Sequence, residues 1–115
     1  MPFFTVSSDV RGPALVVHAD GELDYGHAPV FRSEMTRVWE AGTPSLVVIN
    51  VTGLTFCDSA GVAELIWSLQ RSRALGTRLI LAGVHGTLER ILAITGLRSA
   101  FEVSPTVEEA VQEIS

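Results

Sequence analysis

Apolar positions change period several times along the chain, and each change marks an element. Leu46-Val47-Val48-Ile49-Asn50-Val51 is a short run rich in β-branched residues, the composition of a strand buried on both faces. Residues 52–57 read as a short connection. Beyond them Val62, Leu65, Ile66 and Leu69 recur at helical spacing, in a helix that ends near Leu75-Gly76. Asp58 and Ser59 start it, because their side-chain oxygens accept from the orphan amides of a first turn. Ser59 is therefore expected at the carboxyl end of a parallel strand, where open α/β sheets present functional groups.

The same reading extends to both sides. Strands at 3–6 and 14–19 form a hairpin across the Asp9, Gly12 and Pro13 turn. Residues 20–26 make an acidic loop with two glycines. A helix follows with Pro29 in its first turn, where a missing N–H costs nothing. Phe31, Met35 and Val38 are its buried stripe, and Ala41-Gly42 with Pro44 stop it. A buried strand at 78–82 leads through Gly83 and Gly86 into a helix bearing Leu88, Ile91, Leu92 and Thr95 on one face. Gly96-Leu97 ends that helix in the manner of a Schellman motif. A strand at 100–103 precedes Ser104-Pro105 and a last helix, with a Thr106/Glu109 capping box and a Val107, Ala110, Val111 and Ile114 stripe. The order β-β-α-β-α-β-α-β-α predicts an α/β fold. A hairpin opens a mixed sheet, and the later strands are parallel and joined by crossover helices.

Composition narrows the classes. A length of 115 residues, 47% of them hydrophobic, suits one domain with a real core over residues 1–115. The apolar runs are far short of a membrane span. Met1-Pro2-Phe3-Phe4-Thr5 has neither the basic nor the long apolar part of a signal peptide, so a cytoplasmic location is expected. Cys57 is the sole cysteine, which rules out an internal disulfide. A net charge of −5, with eight arginines and no lysine, argues against direct nucleic-acid binding.

The chemistry-bearing residues form no catalytic set. His18, His27 and His85 are dispersed and match no metal-ligand spacing, so neither a metal nor a cofactor is expected. His18 reads as a structural or surface histidine. Cys57 lies near a helix start, which lowers a thiol pKa, but the reading of greater weight is a buried, inert cysteine. Gly53, Gly61, Gly83 and Gly86 fit neither phosphate-loop nor dinucleotide spacing. Asp58 invites comparison with phosphate-accepting receiver domains, and Asp20, Glu22 and Asp24 supply acids. The strong strand ends too early for that, and no lysine exists to complete the site. Trp67 falls on the helix face away from Val62 and Leu65 and is read as covering the flank of the sheet.

Three stretches together resemble a known family. Asp58-Ser59-Ala60-Gly61-Val62, Gly21-Glu22-Leu23-Asp24 and Thr95-Gly96-Leu97 occur in the order found in the STAS family, specifically its anti-sigma factor antagonists. The resemblance covers nearly the whole chain and implies a STAS-like mixed sheet. It also implies a binding module that is not an enzyme. Unphosphorylated, the module holds an anti-sigma factor and frees a sigma factor. That anti-sigma factor is also a serine kinase, and Ser59 is the acceptor it phosphorylates. A separate metal-dependent serine phosphatase removes the phosphate. Asp24, Asp58 and Ser59 are the implied partner-binding residues; Gly61 is added on physical grounds, as a glycine that admits a partner backbone, the alternative being that it is simply the residue that fits the turn. Ala60 departs from the Ser or Thr of many relatives, leaving one hydroxyl at this turn. His85-Gly86 departs from the usual Ser-Pro before the third helix. A monomer or weak homodimer is expected. The alternatives are a STAS scaffold subunit of a stressosome-like or lipid-transport complex, and a small enzyme with Ser59 as nucleophile. The latter lacks a general base in the neighbouring motifs.

Overall fold

The computed structural model describes residues 3–113. Its chain opens with a hairpin of β1 (Phe4–Arg11) and β2 (Ala14–Leu23), followed by α1 (Ala28–Ala41). Next come β3 (Leu46–Asn50), β4 (Leu54–Cys57) and α2 (Ser59–Leu75). The chain continues with β5 (Arg78–Ala82), α3 (Gly86–Thr95), β6 (Glu102–Ser104) and α4 (Val107–Gln112). Strands run in the order β1-β2-β3-β5-β6. β1 is antiparallel to β2 and the others are parallel, the mixed sheet expected of a hairpin followed by crossovers.

The alternating side chains of the central strands divide the core between two faces. Val17, Ala19, Val47, Ile49, Leu79 and Leu81 lie under α1, α2 and α3. Val16, Val48 and Ile80 lie under Val107 and Ala110 of α4. The first four residues of β3 are buried on both faces, as their composition requires.

Four boundaries differ from the sequence reading. β1 reaches Arg11, because every residue from Phe4 onward finds a partner on β2. β2 reaches Leu23, so most of the expected acidic loop is strand. Residues 54–57, expected as connection, form β4. Residues 14–18 of β2 pair with β3, and β4 takes over the pairing at Gly21, Glu22 and Leu23. The long strand is thus flanked on one side by two short ones, end to end. Finally, a 3₁₀ turn at Leu97–Ala100 precedes β6, which starts at Glu102.

The register shifts between Gly21 and Glu22. Gly21 has φ +99°, and a Cβ there would lie 2.2 Å from the Phe3 carbonyl oxygen, so only glycine fits this bulge. The Gly96 N–H closes α3 on the Ala93 carbonyl, and Leu97 packs against the core. Thr106 Oγ1 accepts from the Glu109 amide at 3.1 Å, the Thr106 half of the expected cap. Ile114, placed in the last stripe, lies outside the described residues, as do Met1 and Pro2 of the N-terminal stretch. Among the described residues no helix is long and apolar enough to cross a membrane.

Candidate functional site at the mouth of α2

The chain leaves β4, makes one extended residue at Asp58, and enters α2 at Ser59. Asp58 Oδ1 accepts from the Gly61 amide at 2.9 Å and caps the helix. Its other oxygen accepts from the Tyr25 amide at 3.1 Å. One carboxylate therefore fixes the start of α2 and ties it to the loop between β2 and α1. The Asp58 amide donates to the Leu23 carbonyl at 3.3 Å, a second tie, from the start of α2 to the end of β2.

Ser59 is exposed at the first position of this helix. Its amide and that of Ala60 have no acceptor within the helix, since a first turn lacks the preceding carbonyls. An exposed hydroxyl thus sits beside orphan amides and the positive end of the helix dipole, a setting that accepts an anion.

Asp24 is half-buried and stands next to Tyr25 in the tied loop. Its Oδ1 accepts from both the His27 amide, at 3.0 Å, and the His27 ring Nδ1–H, at 2.8 Å. Its carbonyl accepts from the Ala28 amide at 2.9 Å. Asp24 therefore builds the turn that starts α1. His27, which precedes the helix, makes no capping bond with its side chain.

Gly61 is buried. A Cβ at this position would lie 2.3 Å from the Leu23 carbonyl oxygen and 2.7 Å from Cys57 Sγ. The backbone approach that this glycine permits is to the chain's own β2. It lets the first turn of α2 sit directly on Leu23, which sets the height at which Ser59 emerges.

Cys57 lies beneath the turn, 1% exposed. Burial and the neighbouring Asp58 push its thiol up to about 12, so it stays protonated and unreactive at neutral pH. Its amide donates to Thr87 Oγ1 at 3.0 Å, tying β4 to α3. His18 bridges Asp9 Oδ1, at 2.7 Å, and Asn50 Nδ2, at 3.1 Å, in a structural role on the sheet. His85 donates from Nε2 to the Thr52 carbonyl at 2.9 Å. Among the described residues no three His, Cys, Asp or Glu side chains are grouped as metal ligands.

The structure thus brings Asp58, Ser59, Gly61 and the Asp24 loop together at one end of the sheet. Sequence reasoning missed two neighbours. Tyr25 is 83% exposed at this site, and its signal was an aromatic residue set in a polar, glycine-flanked loop. Arg32 of α1 reaches Glu64 of α2 with two bonds, at 2.6 and 3.3 Å, and covers the Trp67 ring at 3.8 Å from its centroid. Trp67 is half-buried, so it packs as expected, though beneath Arg32.

Comparison with known proteins fits this geometry. A family model described as STAS domain matches residues 5–110. The Mycobacterium tuberculosis anti-sigma-F factor antagonist RsfA is 31% identical over 98 residues, covering 84% of this chain and 77% of RsfA. An anti-sigma factor antagonist from Mycobacterium paratuberculosis has the same fold, with a TM-score of 0.83 at 22% identity over 96% of this chain and 93% of that one. The unphosphorylated form of Bacillus SpoIIAA, also an anti-sigma factor antagonist, gives 0.78 at 24% identity over 97% and 96%. With the family model spanning both strands and helices from β1 to α4, this chain belongs to the STAS domain family.

Proposed function

We propose that this protein is an anti-sigma factor antagonist whose partner is an anti-sigma factor acting as a serine kinase. Unphosphorylated, it binds that partner and frees a sigma factor. Phosphate on Ser59 ends the binding, and a serine phosphatase restores it. The observation that carries this reading is an exposed Ser59 in the first turn of α2, beside a carboxylate already engaged on both oxygens. RsfA is named as an anti-sigma-F factor antagonist, and SpoIIAA has been solved in phosphorylated and unphosphorylated forms.

The physical basis is an asymmetry between folding and docking. Phosphate brings about −1.5 to −2 charges. The free protein tolerates them, because first-turn amides and the helix dipole favour an anion by about 0.3–1 kcal/mol. Docking removes water, and with it the screening between the phosphate and Asp58 and Asp24. The partner surface is formed by Ser59, Asp58 and Asp24, and Gly61 contributes by seating the turn that carries them. The acids draw in a basic partner before modification.

Incubating the protein with purified anti-sigma factors of its genome and ATP, followed by peptide mass spectrometry, tests the acceptor. Phosphate on the peptide containing Ser59, absent in Ser59→Ala, is expected. Transfer to another residue, or substrate turnover by the protein alone that Ser59→Ala abolishes, would replace this reading.

A further inference from the structure

Beside the Ser59 turn, α1 and α2 leave an open groove of about 620 Å³. Its walls are mostly carbon: Tyr25, Ala28 and Pro29 on one side, Ala60 and Ala63 on the other. Arg32 and Glu64 also line it, but they bind each other through two hydrogen bonds, at 2.6 and 3.3 Å. No unpaired charge in the groove therefore calls for a polar ligand, whereas small-molecule sites present convergent polar groups.

Tyr25 is the most exposed large hydrophobic side chain among the described residues, at 83%. Its backbone is nevertheless held, because its amide donates to Asp58 Oδ2 at 3.1 Å and Asp24 builds the turn that follows. A pre-positioned aromatic residue at the edge of a desolvating pocket is the usual composition of a binding hot spot.

We infer that this groove is the anchor site of the partner-binding face, and that it takes apolar side chains carried on a basic segment of the anti-sigma factor. The inference rests on the reading of Ser59 as the switch. The groove begins at Ala60, next to Ser59, so one partner segment reaches both the pocket and the hydroxyl. Charge decides the kind of segment. Asp24 and Asp58 adjoin the groove and the chain carries −5 overall. A second copy would set like charges against each other, whereas a basic segment is attracted. Asp58 links the two features, since the carboxylate that caps the α2 turn also holds the Tyr25 wall.

The test uses the purified anti-sigma factor that the wild-type protein retains and Ser59→Asp loses. Ala63 is exposed and takes no part in the cap bonds of Asp58, so Ala63→Phe puts a ring into the groove while leaving Asp58 and Ser59 intact. Ala63→Ser keeps the groove open. Tyr25→Ala removes one wall without touching its backbone bond to Asp58. By calorimetry, Ala63→Phe and Tyr25→Ala each weaken binding at least about tenfold, and Ala63→Ser stays within about twofold. Unfolding midpoints equal to wild type identify these losses as local. Wild-type affinity in both Ala63→Phe and Tyr25→Ala, with Ser59→Asp still defective, overturns the groove and leaves the switch standing. Full binding by Ser59→Asp, or no anti-sigma factor retained by wild type, overturns the switch reading and the groove with it.

Discussion

Gly61→Ala sets two opposing effects against each other. Alanine is the better helix former, by about 1 kcal/mol over glycine in a helix interior. Against that, the added Cβ would lie 2.3 Å from the Leu23 carbonyl oxygen and 2.7 Å from Cys57 Sγ. Neither neighbour yields easily. The Leu23 carbonyl belongs to β2 and accepts from the Asp58 amide, and the Cys57 side chain is buried beneath the turn. A carbon needs about 3.3 Å from a carbonyl oxygen, so the first turn of α2 must move by about 1 Å. Overpacking of this kind costs about 1–3 kcal/mol, and contact with fixed backbone belongs at the upper end. The clash therefore wins, with a net loss of about 2 kcal/mol. For a domain of this size that lowers the thermal midpoint on the order of 8 °C. Urea unfolding should show a lower midpoint with an unchanged slope. An unchanged or raised midpoint, combined with lost partner binding, would refute the packing argument and return Gly61 to a direct contact role.

Other consequences are equally open to measurement. Asp58→Ala removes both the α2 cap and the tie to Tyr25, so stability falls by about 1–2 kcal/mol and the Tyr25 amide exchanges faster; unchanged protection there would contradict the tie. Cys57, with its thiol pushed up to about 12, reacts with a disulfide reagent at pH ~8 only as fast as the protein opens, and a rapid native reaction would overturn its burial. Arg78 holds the Glu102 carboxyl below its ordinary value of 4.5, chiefly by hydrogen bonding at 2.6 and 2.9 Å. Because the folded value is the lower one, that stabilisation is present above the unfolded value and fades as pH falls through the folded one. The two side chains are 35% and 51% exposed and water screens them, so Arg78→Ala, which also releases Glu113, should flatten the acid limb of urea stability below pH ~5 by no more than about 0.5–1 kcal/mol; an unchanged limb would refute any contribution from the Arg78 bridges.

The parts of this fold legible from sequence are those where one local signal acts alone. The β-branched run of β3 is buried on both faces, and Asp58 caps the helix that Ser59 begins. Gly96 closes α3 as its position beside Leu97 suggested. β4 was hidden because its four residues do not alternate. Leu54 and Cys57 are buried while Thr55 and Phe56 face outward, and only pairing with the far half of β2 makes them a strand. The extension of β2 through Asp20 and Glu22 was hidden for a related reason, since acids read as loop until a partner strand is known. α2 gives a weak amphipathic signal because Ser68 and Ser72 stand on its buried face. They bond to the Glu64 and Leu69 carbonyls of their own helix. At the site, the residues of the Asp-Ser-Ala-Gly turn were visible, but the link from Asp58 to Tyr25 spans 33 positions and needs coordinates. The same holds for the Arg32, Glu64 and Trp67 cluster, in which α1 contributes one side chain and α2 two.

The central claim is that charge at Ser59 governs docking while leaving the body of the domain unchanged. Charges on adjacent side chains lie about 6 Å apart, where a unit pair repels by about 0.7 kcal/mol in water and about 3 kcal/mol at an effective dielectric near 20. Docking thus adds about 2 kcal/mol per unit pair, or on the order of thirtyfold in affinity, before the cost of stripping water from the phosphate. The most direct measurement compares Ser59-phosphorylated and unphosphorylated protein by calorimetric titration against the same purified anti-sigma factor, with thermal midpoints taken in parallel. At least a thirtyfold weaker affinity at an unchanged midpoint is predicted. Equal affinities for the two forms would contradict the account.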